Sequence, residues 1–405
     1  MHRKQFLLGS LGGIVMVANT QHVFARALAD TPLPGLPGAA DRCLVVVNLQ
    51  GGNDGLNCIV PHGDAQYYQL RPSIAVPRGD VLGIDNHIGF NPAMRSMKAL
   101  YDKGMLAVVQ GVGYPDPDHS HFRSTEIWQT AVPAKYEHTG WLGRYLDEAA
   151  LPKDNLFNGV AIAQVLPEAL VAERTDVPAI AQVNGYGLLS DRQSDSRSAY
   201  RKLVGDDRLP FDSPYLAHVA QIEDHAQKGS EELPKLIAGY KPAGAYPATP
   251  LGRSLSLAAQ IIASKAGTRV LYVQHGSFDT HINQKATQDR LLGELADAMK
   301  AFYDDLEAHG NDKRVLTMTF SEFGRRIAEN ASRGTDHGEA SPLFLAGGGV
   351  KGGVYGAYPD LGDTNQGNLR FGTDFRSVYA TVLERWLGRP SEGILQGKFP
   401  TIAAV

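Results

Sequence analysis

Cysteine is almost absent from this 405-residue chain, which holds only Cys43 and Cys58. Two cysteines cannot build a disulfide framework, so the fold must rest on a buried core. A bridge between them needs Cα atoms within about 7 Å of each other, and the strand read between them carries them apart. The expectation is a pair of buried free thiols. Positive charge is short as well: 39 lysines and arginines stand against 43 acids, for a net charge of −4. That balance excludes the basic footprint of a nonspecific nucleic-acid binder. Beyond residue 29 no stretch approaches the roughly 18 consecutive apolar residues of a membrane span, so no stable membrane insertion of the mature chain is expected. No Gly-Lys-Ser/Thr follows a glycine turn, which excludes a phosphate-cradling P-loop. Internal repeats are lacking too.

What is present begins with an address. His2, Arg3 and Lys4 precede a short apolar run that ends at Ala18, and Ala27-Leu28-Ala29 has the small-x-small pattern of a signal-peptidase site. Residues 1–29 therefore read as an export signal. Arg3-Lys4-x-Phe-Leu resembles the twin-arginine signal, with lysine in place of the second arginine. The partner implied is the export machinery, and the place is the periplasm or the exterior. Without Arg3, Lys4 and Arg26 the mature chain is three units more negative. Residues 30–41, rich in proline and glycine, read as a linker, and residues 42–405 as one α/β domain.

Within that domain strand and helix patterns alternate. Residues 44–49 (LVVVNL), 105–110, 269–274 and 314–320 are short apolar runs suited to strands buried on both faces. Helical periodicity covers residues 94–103, 251–265, 285–309 and 375–387. This alternation predicts a three-layer αβα fold around a mostly parallel sheet. Residues 151–247 are less regular, with a short strand near 160–164 and a polar helix over 194–203, and read as a cap or insertion.

Four segments at predicted strand ends could carry chemistry. The first is Gln50-Gly51-Gly52-Asn53-Asp54, where paired glycines allow a sharp turn and a close backbone approach, and Asp54 offers carboxylate oxygens. A tight turn with an Asx hydrogen bond explains it equally well. The second is Asp118-His119-Ser120-His121-Phe122-Arg123-Ser124. Ser120 suits the cap of a helix beginning near His121. It also suits a nucleophile at a helix N-terminus, with His119 or His121 to take its proton and Arg123 to hold an anionic oxygen. The third is Asp279-Thr280-His281 after the strand over 269–274; residues two apart in extended chain share a side, so both could bind one ion. The fourth spans 315–349. Glu322 there is a ligand or base, Arg325 or Arg326 an anion clamp, and His337 a ligand oriented by Asp336. Five of the thirteen histidines (His119, His121, His275, His281 and His337) fall in these segments, which argues for one convergent site.

Five motifs in order, LVVVNLQGGNDGLN, SHFRSTEIWQT, GSFDTH, TFSEFGRR and GTDHG, with FRSVYATVLERWLG near the end, resemble the exported bacterial family known as domain of unknown function 1501. That family resembles the alkaline phosphatase and sulfatase superfamily. The resemblance implies an alkaline-phosphatase-like fold. It also implies one or two divalent metal ions (zinc, manganese or calcium) beside a serine or threonine nucleophile that attacks phosphate or sulfate esters. On these motifs Ser120 matches the nucleophile, with Ser124 as the other choice, Asp279 and His281 the Asp/His metal pair, and His337 the last histidine ligand. Two departures stand out. Gln50 occupies the place of an expected aspartate, with Asp54 four residues later, and Glu322-Phe323 stands where Asp-His is expected. The formylglycine signature Cys/Ser-x-Pro-x-Arg is missing around Cys43, Cys58 and Ser120.

The sequence thus predicts an exported, metal-dependent hydrolase of phosphate or sulfate esters. Its catalytic residues are Ser120, His121, Arg123 and Arg325, its metal ligands Asp54, Asp279, His281, Glu322 and His337, and its substrate a small-molecule or polysaccharide ester. The departures at Gln50 and Phe323 support an alternative, a non-catalytic surface or glycan-binding protein on a degenerate fold. A metal-free serine esterase lacks its Gly-x-Ser-x-Gly elbow.

Overall fold

Alternate residues of the first strand serve two separate cores. Strand β1 (Cys43–Gln50) is buried at every position except Gln50, and its side chains point to opposite faces in turn. Cys43, Val45, Val47 and Leu49 join Met97, Leu255, Leu291 and Phe302. Leu44 and Val46 join Trp128, Trp141, Tyr145 and Tyr379. A strand apolar on both faces has to be covered on both, which gives the expected three layers. The computed structural model describes residues 38–152, 154–181 and 214–405, and the chain from Gly35 onward forms one compact unit. The signal read over 1–29, most of the linker over 30–41 and the helix read over 194–203 lie outside the described residues.

The remaining main strands are β2 (Leu106–Gly113), β3 (Gly159–Ile162), β4 (Val270–Gly276), β5 (Val315–Phe320), β6 (Ser341–Gly347) and β7 (Gly353–Tyr355). Their order is β7-β2-β6-β5-β1-β4-β3, with Thr373–Asp374 beside β2. Pairing is parallel throughout except at β6, which runs antiparallel to both β2 and β5. Strand β3 lies inside residues 151–247 and forms a parallel edge with β4, so that part of the region belongs to the sheet.

Helices α1 (Arg95–Asp102), α2 (His121–Thr130), α3 (Trp141–Glu148), α4 (Pro214–Leu236), α5 (Pro250–Ala263), α6 (Gln284–Ala308) and α7 (Phe375–Thr381) follow in chain order. Local chemistry fixes their starts. Thr249 accepts from the Gly252 N–H, with Pro250 at the first helical position of α5. Asp374 accepts from the Arg376 N–H to open α7. The single helix read over 375–387 is α-helical only to Thr381 and continues as a π-turn over Val382–Trp386. There the Trp386 indole donates to the Cys43 carbonyl at 3.1 Å, against the face that Gly349 leaves clear of a side chain. Cys43 and Cys58 are free and buried, and burial pushes each thiol up to about 12, which keeps it protonated and inert. Among the described residues no helix is long and apolar enough to cross a membrane.

His275 ends β4 and turns into the core instead of toward the strand edge. It is 4% exposed, and its Nε2 lies 2.9 Å from the Leu291 carbonyl, to which it donates. Burial holds its pKa below the ordinary 6.5, against the opposing pull of that hydrogen bond and of Glu294. The folded state therefore disfavours the imidazolium. Its contribution to stability is complete above 6.5 and is lost as pH falls through the lowered folded value. His275→Gln keeps a donor for Leu291 without a titrating ring. Urea unfolding between about pH 7 and pH 5 should show a shallower loss of stability for His275→Gln than for the parent.

Candidate metal centre at the carboxyl ends of the sheet

Five chain segments meet where the parallel strands end, the edge at which open α/β sheets gather ligands. Gly51 and Gly52 follow β1, Asp279 and His281 follow β4, and Glu322 to Arg325 follow β5. His121 opens α2 after β2. His337 precedes β6, whose reversed direction starts it at the same edge.

His121, Asp279 and His337 each offer a ligand atom, and these atoms lie within 4.8 Å of one another. His281 adds a fourth: its Nε2 is 2.9 Å from Asp279 Oδ1 and 3.0 Å from His337 Nε2. The opposite nitrogen of each ring is anchored. His337 Nδ1 lies 2.7 Å from the His119 carbonyl, and a carbonyl only accepts, so Nδ1 carries the proton. His121 Nδ1 lies 2.8 Å from Glu322 Oε1, and His281 Nδ1 lies 3.4 Å from Asp336 Oδ1. With Nδ1 protonated, neutral His121 and His337 turn their Nε2 lone pairs toward the Asp279 carboxylate, and the Nε2 of His281 lies between Asp279 Oδ1 at 2.9 Å and Arg325 Nη1 at 3.5 Å. Acceptors facing acceptors at this range favour a cation among them, and imidazole rings held from behind by carboxylate or carbonyl are the usual support of a metal ligand. The Nε2 of His121 is buried without a hydrogen-bond partner, so these donors fit a divalent ion.

Charge and burial grade inward. Asp279 and His281 have side chains 40% and 38% exposed, whereas Glu322 and Arg325 beneath them are 5% and 0% exposed. Burial opposes ionisation of Asp279, but the Arg325 hydrogen bond and charge, with His281 and His121, outweigh it and hold the carboxyl below its ordinary value. The Glu322 hydrogen bond raises the His121 pKa against desolvation. Desolvation lowers that of His337, although the His119 carbonyl pulls the other way.

Several expected roles change with the side-chain directions. Arg325 is no free anion clamp. Its guanidinium donates to the carbonyls of Gly51, Gly52, Phe278 and Thr335 and, at 2.8 Å, to Asp279 Oδ1. Arg123 turns away along its own helix to Glu126 and to the Pro133 carbonyl at 2.6 Å. Glu322 reaches Gly51 N–H and His121 rather than the cluster itself, and so orients a ligand. His121 joins the cluster with Asp279 and His337. Asp336 meets His281, not His337. Asp54 is 1% exposed and paired at 2.6 Å with Arg71, and it also accepts from Gln284 and from Asn57 N–H. With its oxygens so engaged, it is a structural anchor away from the histidines. Ser120 is the N-cap residue of α2 and is exposed, but its hydroxyl caps nothing. Ser124 is buried and donates to the Asp118 carbonyl at 2.5 Å, which leaves Ser120 as the free serine.

Two participants take roles that the sequence reading did not assign. Phe323, placed where a ligand was expected, packs its ring 4.9 Å from His121 and 4.5 Å from His337 and forms a platform for both. Gly52, at φ +77°, has no room for a Cβ against that ring, while Gly51, at φ +107°, lies against the Asp279 backbone. The glycine pair thus admits protein backbone and a phenyl ring. The other unseen participant is the His119 carbonyl.

Two substitutions separate anchor from ligand. Arg71 is fully buried and ties the Arg326 and Ile327 carbonyls to Asp54. Arg71→Met should cost about 3–5 kcal/mol in urea unfolding by stranding the Asp54 charge, with zinc stoichiometry unchanged in the folded fraction. Glu322→Gln should instead leave stability near that of the parent and weaken zinc binding about 10–100-fold in calorimetric titration.

Solved structures overlap the chain loosely. They include a sulfatase from Pseudoalteromonas sp., 12% identical over 89% of this chain and 70% of that one, with a TM-score of 0.40. The alkaline phosphatase from the Antarctic bacterium TAB5 is 12% identical over 78% of this chain and 94% of that one, at TM-score 0.33. The C-terminal periplasmic domain of EptC from Escherichia coli, in complex with zinc, is 10% identical over 76% and 73%, at TM-score 0.33. A comparison with curated proteins found no match. Residues 96–394, which hold every member of the histidine and aspartate cluster, match the family described as protein of unknown function (DUF1501), and the chain belongs to that family.

Proposed function

We propose that this chain is an exported, metal-dependent hydrolase of phosphate or sulfate esters with Ser120 as its nucleophile. One observation carries the reading: three histidines, each fixed through Nδ1, present Nε2 to Asp279. Imidazole with a single carboxylate suits zinc first and manganese second, while calcium favours an all-oxygen shell. His121, His281, His337 and Asp279 would hold the ion, which supplies Lewis-acid polarisation of the ester and a lowered pKa at a bound hydroxyl or water.

The residues of the chain supply the remainder. Ser120 directly precedes His121, and its hydroxyl has no hydrogen-bond partner among the described residues. Its carbonyl accepts from Ser124 N–H, which leaves the N–H groups of His121, Phe122 and Arg123 unused by the helix. With both arginine side chains engaged elsewhere, these N–H groups and the helix dipole are the chain's own means of steadying charge on the transferred group. Attack by the Ser120 oxygen releases the alcohol, and water then cleaves the seryl ester. Export rests on the basic and apolar pattern of residues 1–29.

Metal analysis and a panel of aryl phosphates and sulfates test the reading together. The purified protein should carry zinc or manganese, which His337→Ala and Asp279→Ala lose. Ser120→Ala should keep the metal and lose turnover by about a thousandfold or more. Absence of bound metal, together with no turnover above the Ser120→Ala level, would overturn it.

A further inference from the structure

We propose that the cleft beside the metal centre is a subsite for a neutral, hydroxyl-rich ring, so that the alcohol part of the ester is a sugar or a polyol of similar size. The assignment to the alcohol part rests on the ester-hydrolase reading; binding of the ring does not. The cleft has a volume of about 280 Å³ and is lined by Asp116, Pro117, Glu339, Asn365, Arg370 and Phe371 among others. That is close to the lower end of ligand-sized pockets, about 300–1,000 Å³, and suits one ring.

Its chemistry selects hydroxyls. The Glu339 side chain is 7% exposed. Its Oε1 accepts from the amides of Asn365 at 2.8 Å and Asn368 at 3.3 Å. Its one ion-pair contact among the described residues is His119 Nε2, at 3.9 Å. Both amides and His119 lie at Oε1, which leaves Oε2 to accept from a bound hydroxyl. Phe371, half-buried, offers an apolar face to the C–H groups of a ring.

Charge excludes an anionic occupant. Asp116 and Glu339 are acids, and the one cation among the described lining residues, Arg370, is already paired with Asp363 at 2.8 Å. Such a lining repels a phosphate or sulfate, which leaves the anionic part of the ester for the metal centre. The two places are joined through His119, whose carbonyl holds His337 and whose ring approaches Glu339.

Saturation-transfer NMR and calorimetry with a panel of methyl hexopyranosides read this directly on the full, metal-loaded protein. Choline and ethanolamine serve as cationic probes and p-nitrophenyl sulfate as the anionic one. At least one methyl glycoside should bind with its ring protons in contact, and Glu339→Gln and Phe371→Ala should each weaken it about tenfold or more. Asp116→Asn, at an exposed backbone position where asparagine is tolerated (φ +51°), gives a third variant safe for folding and should weaken it as well. No glycoside binding, preference for choline or ethanolamine, or binding undiminished in all three variants would overturn the proposal. Ester hydrolysis without glycoside binding removes this inference alone, whereas glycoside binding without hydrolysis removes only the hydrolase reading.

Discussion

Arg325 lies wholly inside the protein and joins the segments that follow three strands. Its N–H groups reach two carbonyls in the turn after β1, one after β4 and one in the loop before β6, and then the Asp279 carboxylate. Isolated in a core, a guanidinium is costly; held by four carbonyls and a carboxylate, it is compensated. The rest of the centre depends on this contact. It fixes the direction of Asp279, and the three Nε2 atoms are arranged around Asp279. The anion-clamp role read from the sequence is replaced by an internal one.

Around that cation the ligands are held from behind and from the side. Each imidazole has an acceptor at Nδ1, and Phe323 supports two of the rings. A phenylalanine in this place cannot coordinate, but it restricts the rotation of both rings. Its cost is met by Gly52, the only residue type that fits beneath it. The phenylalanine where a ligand was expected is therefore part of how the rings of His121 and His337 are directed.

The layers of the fold were legible because they depend on periodicity. The apolar run at 44–49 needed cover on both faces, and the helices over 251–265 and 285–309 carried the stripes to provide it. The gathering of His121, Asp279, His281 and His337 was legible only as segments at strand ends. Direction was not, because it depends on partners hundreds of residues away. Nothing near Asp54 reveals that Arg71 will reach it, and nothing near Glu322 reveals His121. Arg123 illustrates the same limit locally, since Glu126 one turn along the helix captures it. The helix over 375–387 was read through its π-turn because a single extra residue per turn barely disturbs an apolar pattern.

The segment His119–His121 holds two parts of the centre at once, the carbonyl that fixes His337 and the ring of His121. Only one residue separates them, so they cannot move independently. Any displacement of this short stretch withdraws the His121 ring and releases the His337 ring in the same motion. The order of the two rings is accordingly coupled through the backbone: His121 and His337 keep or lose their places together with the start of α2.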